Sequence, residues 1–202
     1  GPYTMEMLAA DVHALLQQRG VRSAVIGGHS MGGYVALAFA RQFPEMLRGL
    51  ILVNTRAGAD SPAGKANRQA AAAVARQQGA LAVADDMLPK LLAPATFQQQ
   101  PQLVAHVHRL MAAASVEALA NAQLGMATRG ASQDVLEGLF LPVLVITGAD
   151  DKLIPPAESE AMARTVPGAR LVVLEDAGHL ASLEAPAAFN TALWEFLTVQ
   201  VA

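Results

Sequence analysis

The stretch "VIGGHSMGGYVALAFA", Val25 to Ala40, decides the fold. It joins a strand-like apolar run to a helix-like one through a turn carrying a single serine with glycines on both sides. Gly28-His29-Ser30-Met31-Gly32 matches G-x-S-x-G, with a strand running in and a helix running out. Such a turn lifts a serine hydroxyl above the sheet only if the serine adopts an unfavourable backbone angle. It also requires that residues two before and two after bring no side chains into the bend, and Gly28 and Gly32 are expected to meet that need. The turn leaves the Met31 N–H at a helix N-terminus, where it can donate to an oxyanion. A phosphate loop does not fit, because no Lys follows the glycines and G-x-G-x-x-G does not occur.

Working outward, "TMEMLAADVHALLQQRG" places Met7, Leu8, Val12, Leu15 and Leu16 at helical spacing, with Thr4 as N-cap and Gly20 as stop. "LRGLILVNT" follows the elbow helix as a buried strand, so strand, helix and strand make a parallel βαβ unit. From Arg56 to about Gly138 strand signals vanish. Helices are expected near 66–78, 81–92, 101–113 and 116–126. "LPVLVITG", "AMARTVP", "ARLVVLED" and "NTALWEFLTVQV" then restore the alternation of strand and helix. The division expected is a core first part over 1–55, a helical insertion over 56–138 and a core second part over 139–202.

A serine is a weak nucleophile near neutral pH and needs a base, which in turn needs an orienting acid. His179 lies in "LEDAGHLASLEAP", a loop of small residues after the last strand, at the carboxyl edge where open α/β sheets place their sites. The other histidines fit less well. His13 sits on the first helix, His29 points to a different side of the elbow from Ser30, and His106 and His108 fall on different faces of one helix. "VLVITGADDKLIPP" offers Asp150 and Asp151 as acids. The chain order serine, aspartate, histidine suits a triad built on this sheet and not the chymotrypsin-like or subtilisin-like order.

Composition excludes other classes. Of 202 residues 53% are hydrophobic and 15% charged, with a formal net charge of -3, so there is no basic surplus to draw nucleic acid or anionic lipid. The mean hydropathy of +0.32 comes from scattered Ala, Leu and Val, and no apolar run reaches the roughly 18 residues of a membrane span. The absence of cysteine removes disulfides, cysteine-ligated zinc and thiol nucleophiles. No signal peptide is visible, and a cytoplasmic bacterial protein is expected.

"VIGGHSMGG", "PVLVITGADDKLIPP" and "AGHLASLEAPAAFNTALWEFL" resemble the nucleophile elbow, acid loop and histidine loop of the α/β-hydrolase fold superfamily, in its small bacterial esterase and enol-lactonase-like branch. The resemblance implies a parallel sheet made of strands equivalent to the family's fifth to eighth, flanked by helices, with the helical insertion as a cap. It selects Asp151, three residues after the strand-ending glycine, over Asp150. Ser30, Asp151 and His179 are then the catalytic residues and Met31 an oxyanion donor, with no metal or cofactor. The implied activity is cleavage of a carboxylic ester or lactone through an acyl-enzyme, with perhydrolysis open to the same triad. Arg56 and Arg68 are candidates for a substrate carboxylate, or surface charges. The family's first four strands, and the loop that gives its second oxyanion donor, have no counterpart in these residues. The Val25–Ile26 strand edge is therefore expected to pair with a second copy or another partner. The competing reading is an inactive remnant acting as an association or ligand-binding module.

Overall fold

Leu, Ile and Val alternate between two directions along the strands, and this gives the sheet two apolar faces. The computed structural model describes residues 1–200. Its elements run α1 (Met5–Gln18), β1 (Ala24–His29), α2 (Met31–Gln42), β2 (Leu47–Val53), α3 (Pro62–Leu91), α4 (Pro94–Gln99), α5 (Pro101–Ala112), α6 (Val116–Thr128) and α7 (Gln133–Glu137). They continue with β3 (Val143–Gly148), α8 (Pro156–Thr165), β4 (Arg170–Leu174), α9 (Ala181–Glu184) and α10 (Pro186–Glu195), followed by a π-helical turn. The strands form one parallel sheet in the order β1-β2-β3-β4. β2 and β3, in the middle, are buried almost throughout, whereas β1 and β4 are edges.

Leu50, Leu52, Val143 and Val145 face one way and pack on Met5 and Ala9 of α1, Leu37 and Phe39 of α2, and Met162 of α8. Ile51, Val53, Leu144 and Ile146 face the other way, onto Ala181, Ala192 and Phe196. Helices thus cover both faces, as a parallel sheet requires. At about 25 cal/mol per Å² of apolar area, each fully buried Leu or Ile contributes about 1.5–3 kcal/mol.

Helix ends follow their local chemistry. Thr4 Oγ1 accepts from Met7 N at 3.2 Å to cap α1, and Gly20 ends it with φ +68°. Between β2 and β3 the chain is helical, as the loss of strand signal predicts, but in different pieces. The stretches expected at 66–78 and 81–92 belong to one element, α3, which starts earlier because Ser61 caps it through Gly64 N and Pro62 fits the first turn. α3 bends at Gly79, whose φ +83° and ψ 173° are not helical. The short helices α4 and α7 were not expected. α3 packs on α5 and α6 and roofs the carboxyl ends of β1 to β3.

Candidate active site

All three expected residues meet at the carboxyl ends of the strands. Ser30 occupies the tight turn between β1 and α2 with φ 53° and ψ -115°, a strained conformation costing about 1–3 kcal/mol. The turn is held from three sides. Ser30 N–H donates to Val53 O at 2.9 Å, while Ser30 O accepts from Gly33 N–H at 2.9 Å and from the Thr55 hydroxyl at 2.8 Å. Serine is a strong N-cap residue, yet the Ser30 hydroxyl makes no capping bond to α2.

The glycine requirement differs from expectation in one respect. A Cβ on Gly28 would lie 1.9 Å from Gly32 O, so the bend does need Gly28, but a Cβ on Gly32 would meet nothing within 4 Å. The backbone of residue 32 is what crowds Gly28. The second position that must lack a side chain is Gly33, where a Cβ would fall 2.5 Å from the Thr55 side chain.

The hydroxyl turns instead to His179. Ser30 Oγ lies 2.8 Å from His179 Nε2, and His179 Nδ1 lies 2.8 Å from Asp151 Oδ2. With Nδ1 protonated and donating to the carboxylate, Nε2 is left to accept from the serine hydroxyl. Asp151 and His179 are 5% and 3% exposed, and Asp150 stays at the surface. Asp151 Oδ1 accepts from Leu153 N–H at 2.9 Å and Ile154 N–H at 3.0 Å; Oδ2 also accepts from the Asn54 amide at 2.8 Å. Burial alone would push the Asp151 carboxyl up. The hydrogen bond and charge of His179, with the Ile154 N–H and the Asn54 amide, outweigh it and hold the group below its ordinary value.

Asn54 and His29 carry no motif signal. Asn54 ends β2 with φ 46°, a conformation asparagine tolerates better than most residues, and its amide also donates to Gly178 O at 3.2 Å. His29 donates from Nε2 to the His179 carbonyl at 2.7 Å, with the two rings 4.9 Å apart. Burial lowers the His29 pKa despite that backbone bond. His29 thus bears on the site through the histidine loop and not through Ser30.

Ser30, Met31 and His179 open into a cavity of about 420 Å³ whose far wall comes from the helical insertion, including Met87, Leu91 and Met126. Its polar wall holds Arg56 and Arg68, neither of them a free surface charge. Both pair with buried Asp60, Arg68 through Nε at 3.0 Å, and Arg129 joins at 3.0 Å while stacking over the Tyr34 ring at 3.9 Å. Burial would raise the Asp60 pKa, but the Arg68 hydrogen bond and the charges of Arg68, Arg129 and Arg56 hold it low. Arg129 is itself lowered, first by burial. Three guanidiniums thus share one carboxylate. The Nε atoms of Arg56 and Arg129 are buried with no acceptor among the described residues. His106 and His108 lie far from this in α5, with His108 paired to Asp85 at 2.7 Å.

The chain belongs to the alpha/beta hydrolase fold family, whose profile matches residues 1–186, and with its relatives this makes it a hydrolase. It is 32% identical over 194 residues to 3-oxoadipate enol-lactonase 2 of Acinetobacter baylyi, covering 96% of this chain and 70% of that protein. A thermophilic esterase of Thermogutta terrifontis, solved with malate bound, superimposes with a TM-score of 0.97 at 42% identity, over 100% of this chain and 75% of that one. The enol-lactonase of Burkholderia xenovorans gives 0.89 at 31% identity, over 98% and 74%. No helix among the described residues is long and apolar enough to cross a membrane.

Proposed function

We propose that the protein hydrolyses carboxylic esters or lactones through an acyl-enzyme on Ser30. The observation that carries this is the continuous relay from Ser30 Oγ through His179 to Asp151, two bonds of 2.8 Å each. His179 Nε2 takes the serine proton as Oγ attacks the carbonyl carbon, and Asp151 balances the imidazolium that forms. The carbonyl oxygen becomes an oxyanion beside the Met31 N–H, one of the α2 first-turn donors with no partner inside the helix. His179 then protonates the leaving alcohol, or the ring oxygen of a lactone. In the second half it deprotonates a water that attacks the acyl carbon and releases Ser30. The insertion α3–α7 acts as a cap that excludes bulk water and shapes the acyl or alcohol pocket.

The guanidiniums of Arg56 and Arg68, which line the cavity, favour a substrate whose acyl or alcohol part ends in a carboxylate. Hydrolysis of 4-nitrophenyl butyrate and of the mono-4-nitrophenyl ester of succinic acid tests both parts. Ser30→Ala should bring both rates to background, and retention of most of the activity would refute the nucleophile. Wild type should prefer the anionic ester, and Arg68→Gln should cut that preference about ten- to a hundredfold, as the loss of a charge-assisted bond worth about 1.5–3 kcal/mol implies.

A further inference from the structure

The loop that carries His179 is pinned at every backbone polar group from Gly178 N to Leu180 N. Asn54 donates to Gly178 O at 3.2 Å, His29 donates to His179 O at 2.7 Å, and His179 N–H donates to Leu91 O at 2.8 Å. The remaining two groups go to one side chain. Glu184 Oε1 accepts from Gly178 N–H at 2.9 Å and from Leu180 N–H at 3.1 Å, the residues on either side of His179.

The other oxygen of Glu184 faces the helical insertion. Oε2 accepts from Ala93 N–H at 2.7 Å and from the Thr96 hydroxyl at 2.6 Å, and the Gln100 side chain donates to the Glu184 carbonyl at 3.1 Å. Glu184 is 6% exposed and forms no ion pair among the described residues, so its four acceptor sites are filled by neutral donors alone. The two backbones touch at the same place, since a Cβ on Gly178 would lie 2.7 Å from Ala93 N and 2.8 Å from Leu91 O. One carboxylate therefore splits evenly, two bonds to the histidine loop and two to the segment that closes the cavity.

We propose that Glu184 is a positioning residue, its carboxylate locking the His179 loop to the Leu91–Thr96 segment so that the insertion sets where the imidazole sits. This rests on His179 being the base of the proposed hydrolysis. Glutamine cannot replace glutamate here. It has one acceptor oxygen, and its amide nitrogen would face either the two loop N–H groups or the Ala93 N–H, the Thr96 hydroxyl being able to turn and accept, so Glu184→Gln loses the loop pair or at least the Ala93 bond. Thr96→Val removes a single hydrogen bond of the insertion side and keeps the shape.

The test compares wild type, Glu184→Gln and Thr96→Val by steady-state hydrolysis of 4-nitrophenyl butyrate and by the far-downfield proton resonance of the His179–Asp151 hydrogen bond. Displacing a catalytic group by about 1 Å costs on the order of 10²-fold. Glu184→Gln should therefore lower kcat by about ten- to a hundredfold with KM within twofold, and shift or broaden the resonance; Thr96→Val should do the same to a smaller degree. A purely structural role would lower the melting temperature and leave both readouts alone, and that result overturns the proposal. If Glu184→Gln does not fold, Thr96→Val decides, since wild-type kcat and an unmoved resonance refute the coupling. Fluorophosphonate labelling of wild-type Ser30 checks the underlying reading separately. If labelling fails, the resonance in the variants still reports whether Glu184 holds His179 in place.

Discussion

At the scale of single residues, the site depends on conformations that a side chain must tolerate. Ser30 and Asn54 both hold positive φ, and they face each other across the gap between β1 and β2. Ser30 and His179 are legible from sequence because the chemistry dictates both their type and their place after particular strands, whereas Asp151 separates from Asp150 only through the family resemblance. Asn54, His29 and Glu184 are not legible, because each has a decisive partner distant in the chain: Asn54 in Asp151, His29 in His179 and Glu184 in Ala93. The contrast between Gly32 and Gly33 has the same origin, since Thr55, two residues past the end of β2, decides it. Asn54→Ala removes a bond to the Asp151 carboxylate and forces alanine into a left-handed conformation. It should lower stability by about 1.5–3 kcal/mol and kcat about tenfold, read by thermal melts and ester hydrolysis; an unchanged kcat would show that Asp151 is held without it.

At the scale of elements, the helical insertion is where sequence reading lost detail. The pattern predicts helices between β2 and β3 and a break near Gly79, and the structure has both. It gives no sign that α4 forms, because the Ala93 and Thr96 contacts to Glu184 lie far along the chain. The Asp60 cluster is likewise hidden, since the i,i+4 spacing of Arg56 and Asp60 says nothing of Arg129. The cluster ties the start of α3 to the end of α6, and its chemistry makes that tie pH-dependent. With its folded pKa depressed, Asp60 contributes stability that is complete above the unfolded carboxylate value of about 3.9 and lost as pH falls through the lower folded value. Asp151 acts in the same direction. Asp60→Asn should flatten the acid side of the stability profile and cost about 3–5 kcal/mol at neutral pH by stranding buried Arg129. Denaturant melts from neutral pH down to about pH 1.5 measure this, since a carboxylate with a depressed pKa loses its contribution below about pH 4, and a variant with the wild-type acid slope would exclude Asp60 as its source.

At the scale of the whole molecule, the βαβ rhythm makes the parallel sheet readable, and the order of its strands is readable through the resemblance, which implies the family's fifth to eighth strands side by side. The parallel sheet β1-β2-β3-β4 brings the elbow, the Asp151 turn and the His179 loop to one edge. β1 has no neighbour on its outer side among the described residues. We propose that this convergence activates one hydroxyl among all the serines of the chain. Intact-mass and peptide mass spectrometry after exposure to an alkyl fluorophosphonate reads this out. A single adduct is expected on Ser30, lost in Ser30→Ala and strongly slowed in His179→Ala. No adduct on Ser30, or labelling as fast without His179 as with it, would contradict it.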